Sequence, residues 1–430
     1  MNDREGFFTS RGLYYGWVIV AVALVSTGFW MGIRACFSVF YVALLEEFPW
    51  SRGESAGVQS LALMVYTLFA PLVGGLIDRF GPRRIILPGI LILFLGQILS
   101  ARIQDLLHFY LLYGVISGVG ISCIAVVSYS AILAHWFEKK RGLASGIAVS
   151  GMGLGTFFLV PLCQQFILLW GWRVTFIATG ILLLIILLPL NGIFLRHKPR
   201  EMGLYSDGAA PPEPSVPGER KEAGSRRPPA IDWTLSKASK TAAFWYLLAF
   251  PFFSFSGIFL IFVHNVKFMV DQGISKMTAA FIFAMVGIIS SIFRIFWGWL
   301  SDRIGREKTF TAGTLCACMG VGSLLIIGAT GIKGFAYAFF ILYGIGWGVT
   351  APMFMAVSAD LFKGRGFGLI YGMVEGGIGV AGALGAWLGG FVFDRTGSYQ
   401  WAFILAILFF LLSILFVWLA APRKANPVRG

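Results

Sequence analysis

Apolar residues run along the chain in long unbroken stretches, parted by short polar segments and by one long one. Twelve stretches stand out, over 14–44, 57–77, 85–101, 107–135, 143–169, 174–195, 242–270, 278–300, 309–328, 334–361, 366–391 and 400–421. A helix needs about 20 mainly apolar residues to cross a bilayer. The stretches meet or approach that length, and the longer ones leave room for tilt. They are continuous rather than alternating, so they predict helices and not a barrel of short strands. The break in the pattern is 196–240, with nine lysines and arginines and the prolines Pro211, Pro212, Pro214 and Pro217. That composition predicts a solvated linker, with a short amphipathic piece near Trp233 and Leu235 on the membrane surface. The expected fold is all-α and membrane-spanning: a six-helix bundle over 1–195, the linker over 196–240, and a second six-helix bundle over 241–430.

The two halves repeat one another. Gly74 to Arg84 reads GGLIDRFGPRR, and Gly298 to Lys308 reads GWLSDRIGREK. Asp78 and Asp302 are 224 positions apart, as are Arg141-Gly142 and Arg365-Gly366. Leu112-Tyr113-Gly114 and Leu342-Tyr343-Gly344 match at an offset of 230. Two similar six-helix halves around a central loop, each with a G-x-x-x-D-R-x-G motif, resemble the major facilitator superfamily, whose halves are related by an axis along the membrane normal. The motif also has a reading of its own. Its glycines admit close helix contact. Asp78 and Asp302, beside Arg79 and Arg303, sit at helix ends. There a carboxylate can meet the positive N-terminus of a helix from the other half. Those N-termini lie at Gly142 and Gly366, next to Arg141 and Arg365. The expectation is a gate that holds one face shut in one state and parts in the other.

Composition agrees with the hydrophobic pattern. The chain is 57% hydrophobic and 13% charged, about half the charge of a soluble domain. The net charge of +14 invites a nucleic-acid reading, but its distribution opposes one. With a cytoplasmic N-terminus, 25 of the 34 lysines and arginines fall on cytoplasmic segments and seven on external ones. That is the positive-inside rule, so the basicity reports orientation, with both termini cytoplasmic. The expected location is a plasma membrane, the inner membrane of a bacterium, which the chain crosses many times. The cysteines Cys36, Cys123, Cys163, Cys316 and Cys318 lie in apolar spans, with no CxxC and no metal-ligand spacing. The first apolar run is too long for a signal-peptide core. Glycines at 151–155 and 376–382 lie in spans, where they serve helix packing. A Walker lysine is missing, so ATP is not expected to drive transport. No reactive constellation appears, so an enzyme, a cofactor and a resident metal are not expected.

An ionisable side chain inside a span costs about 2.5–3.5 kcal/mol on insertion scales, which makes the few present candidates for function. Arg294 precedes Asp302 by eight residues, about 12 Å of helix, and its guanidinium can fork onto a carboxylate. The other reading is an ion pair between helices. Arg34, in GIRACFSVFY, is either a substrate or proton-linked group or part of a basic lining. His264, in IFVHNVKF, can exchange a proton near neutral pH, or be a hydrogen-bonded core residue. Glu375, in EGGIGVAG, is a proton carrier or a partner for Arg294. Tyr129, between Ser128 and Ser130, offers a phenol to a carboxylate.

His135 to Gly155, HWFEKKRGLASGIAVSGMGLG, resembles the signature of the monocarboxylate transporter family, at Trp136-Phe137, Lys140-Arg141, Leu143-Ala144 and Gly146. Tyr14-Tyr15-Gly16-Trp17 resembles the family's other signature. The oxalate/formate antiporter group shares much of both. The resemblance implies that Arg294 binds the substrate carboxylate, that Arg34 stands where the animal members have a lysine, and that His264 matches a histidine of bacterial members. Two positions depart. Ser290 stands where the animal family has an aspartate, and 375–380 lacks the lysine of the oxalate exchanger. The expected function is alternating-access transport of a small monocarboxylate such as lactate or pyruvate with a proton, by a monomer. The rivals are an organic-anion exchanger without net proton movement and a non-transporting membrane sensor.

Overall fold

The computed structural model describes residues 14–138, 140–208, 233–362 and 367–421. Among them the regular structure is helical. The first half holds α1 (Gly16–Glu47), α2 (Arg52–Phe80), α3 (Arg83–Ser100), α4 (Leu106–Phe109), α5 (Gly118–Cys123), α6 (Val126–Trp136) and α7 (Arg141–Pro189). The second holds α8 (Leu235–Ala238), α9 (Ala242–Asp271), α10 (Lys276–Ile304), α11 (Arg306–Thr330), α12 (Phe335–Gly348), α13 (Thr350–Phe362), α14 (Phe367–Thr396) and α15 (Gln400–Ala420). Eleven helical stretches among the described residues are long and apolar enough to cross a membrane.

One of the eleven does the work of two. The 49 residues of α7 would reach about 73 Å at 1.5 Å per residue, more than twice the hydrocarbon thickness. Gly171 interrupts it at φ 77° and ψ 166°, a conformation that glycine adopts without a Cβ clash. Both ends of α7 return to one face. Lys140, before its start, lies by Asp207, and Phe194, past its end, accepts from Tyr15 Oη. The twelve crossings expected from the hydrophobic pattern follow, with the sixth joined to the fifth at a bend. Two other runs that read as continuous are broken. A π-helical stretch, Tyr110–Ser117, leads from α4 into α5, which ends at Cys123, with Ile124 and Ala125 between it and α6. Val349 separates α12 from α13.

The repeat extends to the caps. Ser51 caps α2 by accepting from Glu54 N, and Ser275, 224 positions later, caps α10 by accepting from Thr278 N. The linker returns to the first half before it leaves the described residues. Asp207 accepts from the backbone of Glu138 and Lys140. The short helix α8 packs rather than floating free, because Trp233 sets its edge on Phe362 at 5.0 Å. The linker, the α2–α3 turn and the α10–α11 turn share one face, called here the linker face.

Glycine approach is concentrated between α1 and α7. A Cβ at Gly155 would collide with the Gly28 carbonyl, and one at Gly151 with the Leu24 carbonyl. Gly28 and Gly32 on α1 face Gly151 and Gly155 on α7 at a spacing of four, so the two backbones meet. Gly74, Gly75 and Gly298 of the repeated motif have nothing within 4 Å of a Cβ. Close approach is therefore not what these three glycines provide in this conformation.

Candidate functional site

The halves are locked together on the face away from the linker. Arg52, at the start of α2, pairs with Asp271 at the end of α9, 2.5 Å apart. Lys276, at the start of α10, pairs with Glu46 at the end of α1, also at 2.5 Å. Arg52 and Lys276 are 224 positions apart, and Glu47 and Asp271 likewise. In each bridge a helix start reaches the helix end of the other half, but the acids are not equivalent: Lys276 takes Glu46, while Glu47, the counterpart of Asp271, pairs with Arg173 of its own half at 2.7 Å. Asp394, at the end of α14, accepts from the backbone N–H of Arg52 at 2.9 Å and of Gly53 at 2.7 Å. The Arg52 guanidinium lies 3.5 Å from the Phe393 ring centroid and 4.9 Å from that of Tyr399.

From this lock two seams run inward. The α2–α14 seam continues through the Ser60 hydroxyl, which donates to Ala383 O at 2.6 Å, down to Thr67, on which a Cβ at Gly379 would collide. The α7–α10 seam runs from Phe157 and Phe281 to Gly153 against Gly287 and Ser291. Beyond these points the seams part. Nothing lies within 4 Å of a Cβ at Gly74 and Gly75 on α2, Gly372, Gly376 and Gly377 on α14, Gly146 on α7 or Gly298 on α10. The space between the halves opens on the linker face.

Arg294 sits where the α7–α10 seam ends. Its Nη1 approaches Met152 Sδ at 3.8 Å, and its guanidinium carbon lies 5.8 Å from the Trp347 ring centroid. Its buried Nε has no hydrogen-bond partner among the described residues, and neither does Ser291 Oγ one turn earlier. Tight packing fixes the helix here: a Cβ at Gly348 would lie 2.9 Å from Ser290 O and 3.2 Å from Arg294 N. Ser290 is turned back, its hydroxyl donating to Gly287 O at 2.8 Å. Arg34 is 6% exposed and is caged by rings. Its guanidinium carbon lies 4.4 Å from Trp30, 5.4 Å from Tyr66 and 5.6 Å from Phe259. Such contacts hold a cation by the ring quadrupole. Among the described residues neither arginine has an acidic ion-pair partner. Aromatic contacts connect them: Phe259 meets Phe262 at 5.6 Å, and Phe262 meets Trp347 at 6.1 Å. Glu375, half-buried on α14, hydrogen-bonds Tyr371, while Tyr66 stands within electrostatic reach of both Glu375 and Arg34. Two cations, a walled row of rings and one carboxylate suit a small organic anion better than a neutral or cationic solute.

The family follows from residues 18–371, which match the family described as Major Facilitator Superfamily. The chain belongs to that superfamily. It is 28% identical over 407 residues to monocarboxylate transporter 13 of Bos taurus, covering 92% of this chain and 87% of that one. It is 27% identical over 416 residues to monocarboxylate transporter 11 of Homo sapiens, covering 95% and 83%. In fold it resembles a D-xylose-proton symporter, with a TM-score of 0.73 at 16% identity over 94% of this chain and 97% of that one. It also resembles a bacterial homologue of the human lysosomal transporter Spinster in an inward-facing, occupied conformation, with a TM-score of 0.71 at 15% identity over 95% and 97%.

The remaining candidates of this major facilitator lie elsewhere. Tyr129 is spent inside the first half, its hydroxyl donating to Asn191 Oδ1 at 2.9 Å, while Asn191 donates to Ser26 Oγ and Leu187 O. His264 is fully buried in the lock. Its ring nitrogens lie 2.9 Å from Ala386 O and 3.3 Å from Tyr399 Oη, and Tyr41 meets the ring edge-on at 5.4 Å. Among the described residues, the hydrogen-bond and ring partners of His264 (Tyr399, Ala386 and Tyr41) are not those of Arg294 (Met152 and Trp347). Asp302, 70% exposed, pairs with Arg306 of its own half at 2.6 Å, and Arg306 also binds Asp360 at 3.0 Å. Arg79 lies 5.1 Å from the Phe80 ring and Arg303 lies 4.2 Å from Trp299. The side chains of Asp78 and Arg141, and Arg365 with its neighbours, lie outside the described residues.

The two signature stretches meet on the linker face. Tyr14 packs on Trp136 and Phe137, Tyr15 on Trp136 and Trp17 on Phe137, with centroids 5.1–6.0 Å apart. The Tyr14 hydroxyl reaches Trp136 O at 2.8 Å, and Trp136 Nε1 donates to Arg196 O. These residues tie α1, the α6–α7 turn and the start of the linker together, far from Arg294 along the helices. Sequence reasoning missed the lock residues Arg52, Asp271, Glu46, Lys276 and Asp394. The 224-residue offset that relates Arg52 to Lys276 was the signal that could have found them.

Proposed function

We propose that the protein carries small monocarboxylate anions of the lactate and pyruvate kind across the membrane by alternating access, with a proton. The observation that carries this reading is the Arg294 guanidinium at the inner end of an opening between the halves, without an acidic partner among the described residues. A carboxylate there gains a charge-assisted fork, and the Trp347–Phe262–Phe259 row contacts its organic body. Arg34 raises the anion's local concentration. With the linker face cytoplasmic, the conformation described is open inward. An unaccompanied charge resists movement past lipid; the anion cancels the charge of Arg294, and the proton cancels that of Glu375.

Ser290 supports a second reading, an organic-anion exchanger without net proton movement. It places a hydroxyl, bonded to its own helix, where a carboxylate would otherwise adjoin Arg294. Glu375 is the carboxylate that fills the proton role in the first reading. The two separate in proteoliposomes. Symport predicts that labelled lactate entry rises when the outside is made acidic, and that Glu375→Gln keeps entry but loses most of that rise. Exchange predicts entry only into vesicles preloaded with anion, at the same rate with and without the gradient. No entry of lactate, pyruvate, formate or oxalate under either condition would sink both.

A further inference from the structure

The chain carries a third copy of the repeated motif. Gly390-Phe-Val-Phe-Asp394-Arg395-Thr-Gly397 has the same G-x-x-x-D-R-x-G spacing as the copies at Gly74 and Gly298, yet it lies on the opposite face. All three build one device. Gly81, Gly305 and Gly397 stand at φ 83°, 93° and 68°. Their N–H groups return to Ile77 O, Ser301 O and Phe393 O at 2.8, 3.2 and 2.7 Å. The helix therefore stops at the same place in each copy and presents its aspartate at the end. Arg303 and Arg395 also each lie over the ring four residues before, Trp299 at 4.2 Å and Phe391 at 5.0 Å.

Only the third copy has its aspartate engaged across the halves among the described side chains. The α2 N-terminus explains why it fits. A helix start leaves its first backbone N–H groups unpaired. The Ser51–Glu54 capping box supplies partners for Ser51 N and Glu54 N. The N–H groups of Arg52 and Gly53 are left, and Asp394 accepts from those two. Close approach depends on two glycines. A Cβ at Gly53 would lie 2.8 Å from Asp394 Oδ2 and 3.2 Å from Phe391 N, and one at Gly390 would lie 2.5 Å from Arg52 O. The other side of the same face has no counterpart. The position 224 before Asp394 is Trp170. A cavity of about 460 Å³ opens there, lined by Glu46, Gly171, Trp172 and Lys276.

We infer that Asp394 is the latch of the opposite face: its carboxylate caps α2 across the halves, holds that face shut, and releases when the linker face closes. Alternating access, on which the carrier reading rests, then uses one motif for both gates, with Asp78 and Asp302 on one face and Asp394 on the other. The latch is one-sided, so the face opens by parting α2 from α14.

Distances between nitroxide labels test this without substrate. Labels go at Leu107 and Ile332, both exposed on the opposite face and in different halves, after replacement of the five native cysteines. Asp394→Asn removes the charge that the two N–H groups bind. Gly53→Ala leaves the carboxylate but pushes it away. Each is expected to raise the wide-distance population about tenfold, the effect of losing one hydrogen bond to a charged group. Asp302→Asn, on the other face, is expected not to widen it. Parent-like distances in both variants, with parent-like elution, would overturn the latch, as would equal widening in Asp302→Asn. Uptake does not enter the readout, so failure to transport any anion counts against the carrier reading and leaves the distances standing.

Discussion

Arg294→Ala is expected to lower carboxylate uptake at least about 100-fold at sub-saturating concentration, while the protein still elutes as the parent does. Two hydrogen bonds from a guanidinium to a carboxylate contribute on the order of 3–6 kcal/mol together, and 1.4 kcal/mol is a factor of ten. The side chain has little else to do for the fold. Its protein contacts are a thioether at 3.8 Å and a ring at 5.8 Å, and no acid is left behind when it is removed. Alanine therefore takes away binding without leaving an unpaired buried charge. Arg294→Lys keeps the charge and loses the fork, so an intermediate loss of about tenfold is expected. A concentration series of labelled lactate in proteoliposomes separates the three proteins. Uptake by the alanine variant equal to the parent would remove Arg294 from the site, and with it the main argument for an anion.

The largest effect on folding is expected at Gly155. A Cβ there would collide with the Gly28 carbonyl oxygen and stand 2.7 Å from Gly28 Cα. Both obstacles are backbone, so no rotamer relieves them. Leucine at 155 forces α1 and α7 apart. That also breaks the hydrogen bond that Thr27 Oγ1 donates to Ala148 O at 2.6 Å. Overpacking typically costs about 1–3 kcal/mol, and more where backbone must move. At roughly 2–4 °C per kcal/mol for a chain of this order, melting falls by on the order of 10 °C, or the folded elution peak is lost. Gly322 on α11 has nothing within 4 Å of a Cβ, so Gly322→Leu is the matched control and is expected to stay within a few degrees of the parent. Equal melting of Gly155→Leu and Gly322→Leu would mean that the α1–α7 contact does not limit stability.

Much of this molecule was legible without coordinates because the bilayer imposes a simple rule. Every backbone group inside hydrocarbon must pair locally, so a long apolar run is a helix whatever surrounds it. The breaks were less legible. Gly171 reads as one more glycine in WGWR, and only its φ of 77° turns a 49-residue helix back on itself. Arg294 was legible for an energetic reason, since a charge in a span needs a purpose. Its lack of an acidic partner was not, because pairing depends on which helices meet. Tyr129 and His264 show the limit clearly. Each is a plausible ligand by residue type, yet Asn191 takes the one and Ala386 and Tyr399 surround the other. Hydrogen bonding is decided by neighbours that lie 62 to 135 positions away.

The sequence by itself determined the class, the number of crossings and the internal repeat. Those depend on composition and spacing along one chain, and the matched caps at Ser51 and Ser275 follow the same offset. Only the tertiary structure decided which face is shut. The G-x-x-x-D-R-x-G motif specifies a helix end with an exposed aspartate, and that is a local matter of glycine φ. Whether the aspartate meets a helix start depends on how two halves are tilted. In this conformation Asp302 binds its own half and Asp394 binds the other. The same local design therefore serves an open face and a closed one, and the difference lies in contacts between residues 341 and 342 positions apart.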